Sequence, residues 1–189
     1  SGSTVELALA RIGERIRKEG IRVSGVPTSH KVALLAESCG ITVLAPVSRV
    51  ELSWTFDGAD EVDGELNLIK GAGAAMFNEK IVARRAKKVV IIVGEDKLVK
   101  QLGTHFPVPV EVVPEALGYV EASLKKLGAT GCKLRTVGEK ERLVVTEHNN
   151  LIFDVTFKQI VPTLDGAIKC ITGVVEHGLF FGVADEVLV

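Results

Sequence analysis

Four carboxylates fall within the seven residues Asp57-Gly-Ala-Asp-Glu-Val-Asp63, directly after a short β-rich run. Crowded carboxylates raise one another's pKa unless cations compensate, and a carboxylate titrating nearer neutrality suits proton transfer. A solvated acidic turn is an equally simple reading, whereas a calcium loop would need the alternating Asp/Asn order of an EF-hand, which is absent. Downstream, Lys70 precedes the Gly71-Ala72-Gly73 turn that opens a helix, so an ammonium and turn N–H groups can converge on an oxyanion. Glu79 lies about a turn and a half into that helix, placed either to face the same cleft or to pair with a surface cation. Lys97 follows the apolar run Val89 to Val93, at the strand end where α/β sheets bind ligands, although a solvated loop lysine would look the same. Ser1-Gly2-Ser3-Thr4 opens the first helix, where N–H groups and hydroxyls can hold an anion or simply cap the helix.

Other chemistries fit less well. His30, His105, His148 and His177 show no ligand spacing, so no metal is expected. No Gly-x-Ser-x-Gly elbow is present for a serine hydrolase, and no P-loop lysine or dinucleotide fingerprint accompanies the first helix. Cys39, Cys132 and Cys170 are scattered, which suggests neither a disulfide framework nor a zinc site and fits a reducing compartment.

The elements that must carry these residues follow from periodicity. Val5, Leu7, Leu9, Ile12 and Ile16 predict a helix ended by Gly20; a strand over 21–25, a helix from Thr28-Ser29 to Gly40 and strands at 41–44 and 53–56 come next. After the acidic loop, a helix over about 74–86 leads into Val89 to Val93, a β-branched run of the kind buried in parallel sheets. Strands alternating with helices predict a doubly wound α/β domain. From Pro107 the order becomes strand 108–113, helix 115–127, strand 133–137, a hairpin of 143–147 and 151–157 turning at Asn149-Asn150, helix 163–171 and strand 174–181. That order is the split βαβ, or ferredoxin-like, unit of a second, smaller α+β domain. The expected division is 1–107 plus 179–189 against 108–178.

With 23 basic and 24 acidic residues the net charge is -1, so no basic field favours nucleic acid or an anionic membrane. No apolar run approaches the length needed to span a bilayer. Hydrophobic residues make up 47% and aromatics 5%, so aliphatic side chains must build the core.

Asp57-Gly-Ala-Asp-Glu-Val-Asp63, Asn67-Leu-Ile-Lys-Gly-Ala-Gly-Ala-Ala75 and Asn78-Glu-Lys80 together closely resemble type A ribose-5-phosphate isomerases. So do Gly25-Val-Pro-Thr-Ser29, Phe106-Pro-Val-Pro-Val-Glu-Val-Val-Pro114 and Thr172-Gly-Val-Val-Glu-His-Gly-Leu-Phe180, in the same order along essentially the whole chain. The resemblance implies a Rossmann-like domain with a ferredoxin-like partner, and cofactor-free interconversion of D-ribose 5-phosphate and D-ribulose 5-phosphate through an enediolate. Carried over residue by residue, it implies Glu79 as base and Asp57, Gly58, Ala59 and Asp60 as the sugar-binding loop. Lys70, Gly71, Ala72 and Gly73 become the Lys-Gly turn, with Ser1, Gly2, Ser3, Thr4 and Lys97 at the phosphate. Gly71-Ala72-Gly73 stands where three glycines are commoner. A helix and a strand, with a basic residue able to reach substrate, usually precede the phosphate loop, so this sequence is expected to be part of a longer chain. A cytoplasmic homo-oligomer, dimer or tetramer, is also expected. A sugar-phosphate sensor without turnover, an amino-sugar phosphate deaminase and a CoA transferase are the alternative uses of such a fold.

Overall fold

The computed structural model describes residues 3–189. Helix α1 (Ser3–Glu19) turns Val5 and Leu9 into a small core with Ile12 and Ile16 beside them, while Leu7, two residues off that stripe, is exposed. Gly20 ends it with φ 67 and an N–H to the Ile16 carbonyl, the left-handed C-terminal cap that glycine adopts without steric cost. Strand β1 (Ser24–Gly25) leads to α2 (His30–Ser38), whose N-cap Ser29 accepts from the Val32 N–H, and then to β2 (Thr42–Val43). Next come β3 (Thr55–Asp57), β4 (Glu61–Val62), β5 (Leu68–Ile69), α3 (Met76–Arg85) and β6 (Val89–Ile92).

The second half continues with β7 (Val108–Val112), α4 (Leu117–Lys126), β8 (Ala129–Leu134), β9 (Thr136–Val137), β10 (Arg142–Leu143) and β11 (Leu151–Phe157). It closes with α5 (Thr163–Lys169), β12 (Val174–His177), β13 (Leu179–Phe180) and β14 (Glu186–Leu188). An antiparallel sheet in the order β12-β7-β11-β8, with helices after β7 and β11, is the ferredoxin-like arrangement.

The doubly wound half holds β3 and β14 parallel to a central β6, with β1 and β2 as a separate parallel pair. A largely apolar slot of about 260 Å³ lies between β1 and β3, bounded by Val5, Leu9 and Ile12 of α1. No helix among the described residues is long and apolar enough to cross a membrane.

Three sequence expectations change. The strand expected over 174–181 breaks at Gly178: β12 belongs to the ferredoxin-like sheet, whereas β13 pairs with β5 in a three-stranded sheet with β4. A Cβ at Gly178 would lie 2.1 Å from the Lys70 carbonyl oxygen, so only glycine fits where the chain crosses between sheets. The Asn149-Asn150 turn exists, with φ 61 at Asn149 and a Val145–Leu151 bridge, but the expected hairpin arm is diverted. Arg142 and Leu143 pair with β9, and Thr146 and Asn150 both bond the buried Glu111 carboxylate of β7. Finally, α3 starts at Met76, because Ala74 sits at φ 60 and its N–H closes a turn onto the Gly71 carbonyl.

The sheet of β13, β5 and β4 is a wall between two cores. Leu68 and Phe180 pair across it and pack with Val62, Val89 and Ile91; their neighbours Ile69 and Leu179 face Val108, Val110 and Phe153. The period of two in a strand sends alternate residues to opposite faces, so two short strands serve both cores.

Candidate active site

Asp57 ends β3 beside central β6, and its Oδ1 accepts the Gly58 N–H at 2.8 Å, which points the carboxylate back over the strand end. Lys70 follows β5, its N–H held by the Gly178 carbonyl at 2.9 Å. The Lys70 ammonium reaches the Gly58 carbonyl at 2.5 Å, Asp57 Oδ2 at 3.0 Å and Glu79 Oε2 at 3.3 Å. Glu79 comes from the first turn of α3, so one cation joins a strand end, a loop carbonyl and a helix. All three side chains are largely buried, with 13% of Asp57, 6% of Lys70 and 4% of Glu79 exposed. The Phe180 ring lies against Lys70, its centroid 5.7 Å from Nζ, and Thr28 lines the same pocket.

Burial and charge separate the two carboxylates. Desolvation pushes Asp57 upward, but the Lys70 ammonium and the Gly58 N–H outweigh it and keep Asp57 below the usual range. Desolvation also pushes Glu79 upward, and there the negative Asp57 adds to it, so Glu79 titrates above an ordinary glutamate despite Lys70. Burial works against the Lys70 charge, yet its two carboxylate neighbours raise its pKa and hold it protonated. The result is one fixed carboxylate, one fixed ammonium and one carboxylate able to exchange a proton.

The rest of the acidic stretch does different work. Glu61 is fully buried in β4 and accepts from the N–H groups of Gly103, His105 and Phe106, a structural anchor rather than a site group. Asp63 closes the turn onto Glu65 and Asn67. Asp60 Oδ2 accepts the Ala72 N–H at 2.9 Å, so this carboxylate fixes the glycine turn and faces a separate cavity of about 220 Å³ with Phe106 and Pro109. Gly71 itself sits at φ 106, and a Cβ there would come within 3.2 Å of Met76 and Pro109. With the Ala72 N–H on Asp60 and the Ala74 N–H on Gly71, the Gly71 and Gly73 N–H groups are the turn's candidate donors among the described residues.

Asp57, Gly58, Lys70 and Glu79 are thus brought together. Lys97 lies in a single 3-10 turn, near Asp96 at 3.4 Å and over the Phe106 ring at 4.9 Å. Thr4 lies in the first turn of α1; Ser1, Gly2 and the Ser3 side chain lie outside the described residues. Sequence reasoning did not single out Thr28, Phe180 or Arg135. Arg135 donates to the Gly71 and Ala72 carbonyls, and only its distance in sequence from the turn concealed it. No group of His, Cys, Asp and Glu among the described residues is arranged to hold a metal ion.

Residues 24–189 match the family described as ribose 5-phosphate isomerase A (phosphoriboisomerase A). The chain belongs to the ribose 5-phosphate isomerase A family. A ribose-5-phosphate isomerase A of Archaeoglobus fulgidus is 45% identical over 186 residues, covering 95% of this chain and 80% of the relative. Among solved structures, ribose 5-phosphate isomerase A of Methanocaldococcus jannaschii superposes with a TM-score of 0.93 at 40% identity, over 100% of this chain and 84% of that one. A D-ribose-5-phosphate isomerase in complex with phospho-erythronic acid has a TM-score of 0.93 at 37% identity, over 99% and 82%. These likenesses span both the doubly wound and the ferredoxin-like sheets, so the family assignment covers the whole architecture around Lys70.

Proposed function

We propose that this chain interconverts D-ribose 5-phosphate and D-ribulose 5-phosphate through an enediolate, with Glu79 as the general base. The observation that carries this is the buried triad in which Lys70 binds Asp57 and Glu79 at once while, of the two carboxylates, Glu79 is raised and Asp57 lowered in pKa. A base raised above the ordinary carboxylate range, with a cation beside it, suits proton abstraction next to a carbonyl.

Asp57, held ionised, takes the anomeric hydroxyl proton as the bond between C1 and the ring oxygen breaks, and passes that proton to the departing ring oxygen, which becomes a hydroxyl. Glu79 removes the proton from C2; the C1 carbonyl oxygen takes up the charge, stabilised by Lys70 and the N–H groups of Gly71 and Gly73. The O2 proton passes to O1, Glu79 returns its proton to C1, and the C2 ketone results. Asp60 keeps one oxygen on the Ala72 N–H and offers the other to a sugar hydroxyl. Gly58 and Ala59 line the sugar's path, and Ser1 to Thr4 with Lys97 hold the phosphate, whose remote binding energy orients the reacting carbons.

The deciding experiment follows ribose 5-phosphate by NMR in deuterated water. Formation of ribulose 5-phosphate with solvent deuterium at the exchanged carbon is expected. Binding without turnover would instead support a sensor, and turnover only of amino-sugar phosphates or CoA esters another enzyme of the fold. The three free cysteines fit a cytoplasmic protein, and exposed Leu7 and Leu34 on neighbouring α1 and α2 fit self-association, which light scattering tests.

A further inference from the structure

The glycine turn beside Lys70 carries almost no side chain of its own, so whatever fixes it must come from outside it. One hold is Asp60, on the Ala72 N–H. The other comes from the ferredoxin-like sheet. Arg135 follows β8 with its own backbone pinned on both sides, its N–H on the Ile152 carbonyl and its carbonyl accepting from Val144. Asp154 of β11 engages both the Nε and Nη2 of Arg135, a two-point contact that sets the guanidinium plane. The remaining Nη1 donates to the Gly71 carbonyl at 2.6 Å and the Ala72 carbonyl at 3.1 Å.

We propose that Arg135, seated by Asp154, is a positioning residue for the isomerisation: it aims and polarises the peptide groups of the Gly71–Gly73 turn. The proposal rests on the reading of that turn as the oxyanion site. In a trans peptide the C=O and N–H point in opposite directions, and no cis bond is present. The 71–72 peptide is gripped at both ends, by Arg135 on its oxygen and Asp60 on its nitrogen. The 72–73 peptide has its oxygen on Arg135, so the Gly73 N–H is directed away from the ferredoxin-like sheet. A full positive charge on a carbonyl oxygen also makes the N–H of the same amide a stronger donor. That gain grows as negative charge develops on O1, so it acts on the transition state more than on the bound sugar.

A purely structural salt bridge between sheets would move stability and leave the kinetic split untouched. The test therefore measures kcat, KM, melting temperature and inhibition by phospho-erythronic acid, whose carboxylate carries charge like that of the enediolate. Arg135→Lys keeps the charge but cannot reproduce the fork; Arg135→Ala and Asp154→Asn remove the hold or its seat. The expected result is a fall in kcat of about 10- to 100-fold with KM nearly unchanged. Inhibition by phospho-erythronic acid should weaken in parallel, and guanidinium should restore part of the Arg135→Ala rate. Folded Arg135→Lys and Asp154→Asn variants with parental kcat would overturn the proposal, as would a loss confined to melting temperature. Glu79→Gln, assayed alongside, separates the two ideas: if it keeps turnover the base reading fails, whereas an inactive Glu79→Gln beside normal Arg135 variants refutes only the role of Arg135.

Discussion

Lys70 and Lys80 are buried lysines set against the same Phe180 ring, 5.7 and 4.8 Å from its centroid, in opposite electrostatic situations. Lys70 answers two carboxylates, and burial, joined by the negative Asp57, raises the pKa of one of them, Glu79. Lys80 answers one, Glu176 at 2.8 Å, together with the His177 carbonyl, and Lys169 shares the same carboxylate from its other side. There the cations dominate. Burial would raise Glu176, but Lys80 chiefly draws it down to about 2. Burial and the neighbouring Lys80 push His177 down to about 3, so it stays neutral. One cluster keeps a proton-exchanging group in reserve; the other has all its charges settled and holds α3 against β12. On the proposed mechanism, two adjacent residues of one helix, Glu79 and Lys80, divide chemistry from architecture.

Breaking each side of this contrast should give different readouts. The largest effect expected is that of Glu79→Gln, with kcat falling by about 10²- to 10⁴-fold, KM little changed and the fold intact by circular dichroism. Lys80→Met should do the reverse, lowering stability in urea titrations because Glu176 loses its more buried cation and keeps only the half-exposed Lys169, while folded enzyme keeps kcat within a few-fold. If the two variants exchanged phenotypes, the division would be wrong. Acid should reveal the structural cluster in the parent protein. His177 has a folded pKa below its unfolded value of 6.5, so stability is full above pH 6.5 and is lost as pH falls toward 3. Glu176 adds a loss between about pH 4.5 and 2. The sum is on the order of a few kcal/mol, and His177→Asn should flatten its upper part in urea titrations across pH. The smallest effect concerns the site: Asp57→Asn removes the charge that helps raise Glu79, so the acid limb of kcat/KM should move to lower pH, even with ring opening slowed. An unmoved limb would show that Asp57 does not tune Glu79.

The contrast also shows what was legible in the sequence. Spacing alone left Asp57, Lys70 and Glu79 as candidates beside plainer readings, a solvated turn or a surface ion pair, and the resemblance along the whole chain singled them out. By residue type the four carboxylates of 57–63 looked alike; the resemblance picked out Asp57 and Asp60, and the structure shows why Glu61 differs, buried and anchoring a distant loop. The apolar alternation of 174–181 continues through Gly178, so nothing local signalled that the strand changes sheets there. Arg135 drew no reading from the sequence, because its contact with the glycine turn is set by how two sheets approach. Lys97 was placed by topology at a strand end, and the fold puts it in the 3-10 turn that follows β6, over the Phe106 ring.

The crossing at Gly178 governs how the molecule comes apart. Leu68 and Ile69 are adjacent, as are Leu179 and Phe180, and each pair feeds both hydrophobic cores. Neither half can release its share of that wall without exposing apolar surface of the other, so hydrogen exchange should show the central amides of β5, β6 and β7 opening together in a single cooperative event. Cutting the gene at residue 107 should accordingly yield two fragments that each fail to fold alone.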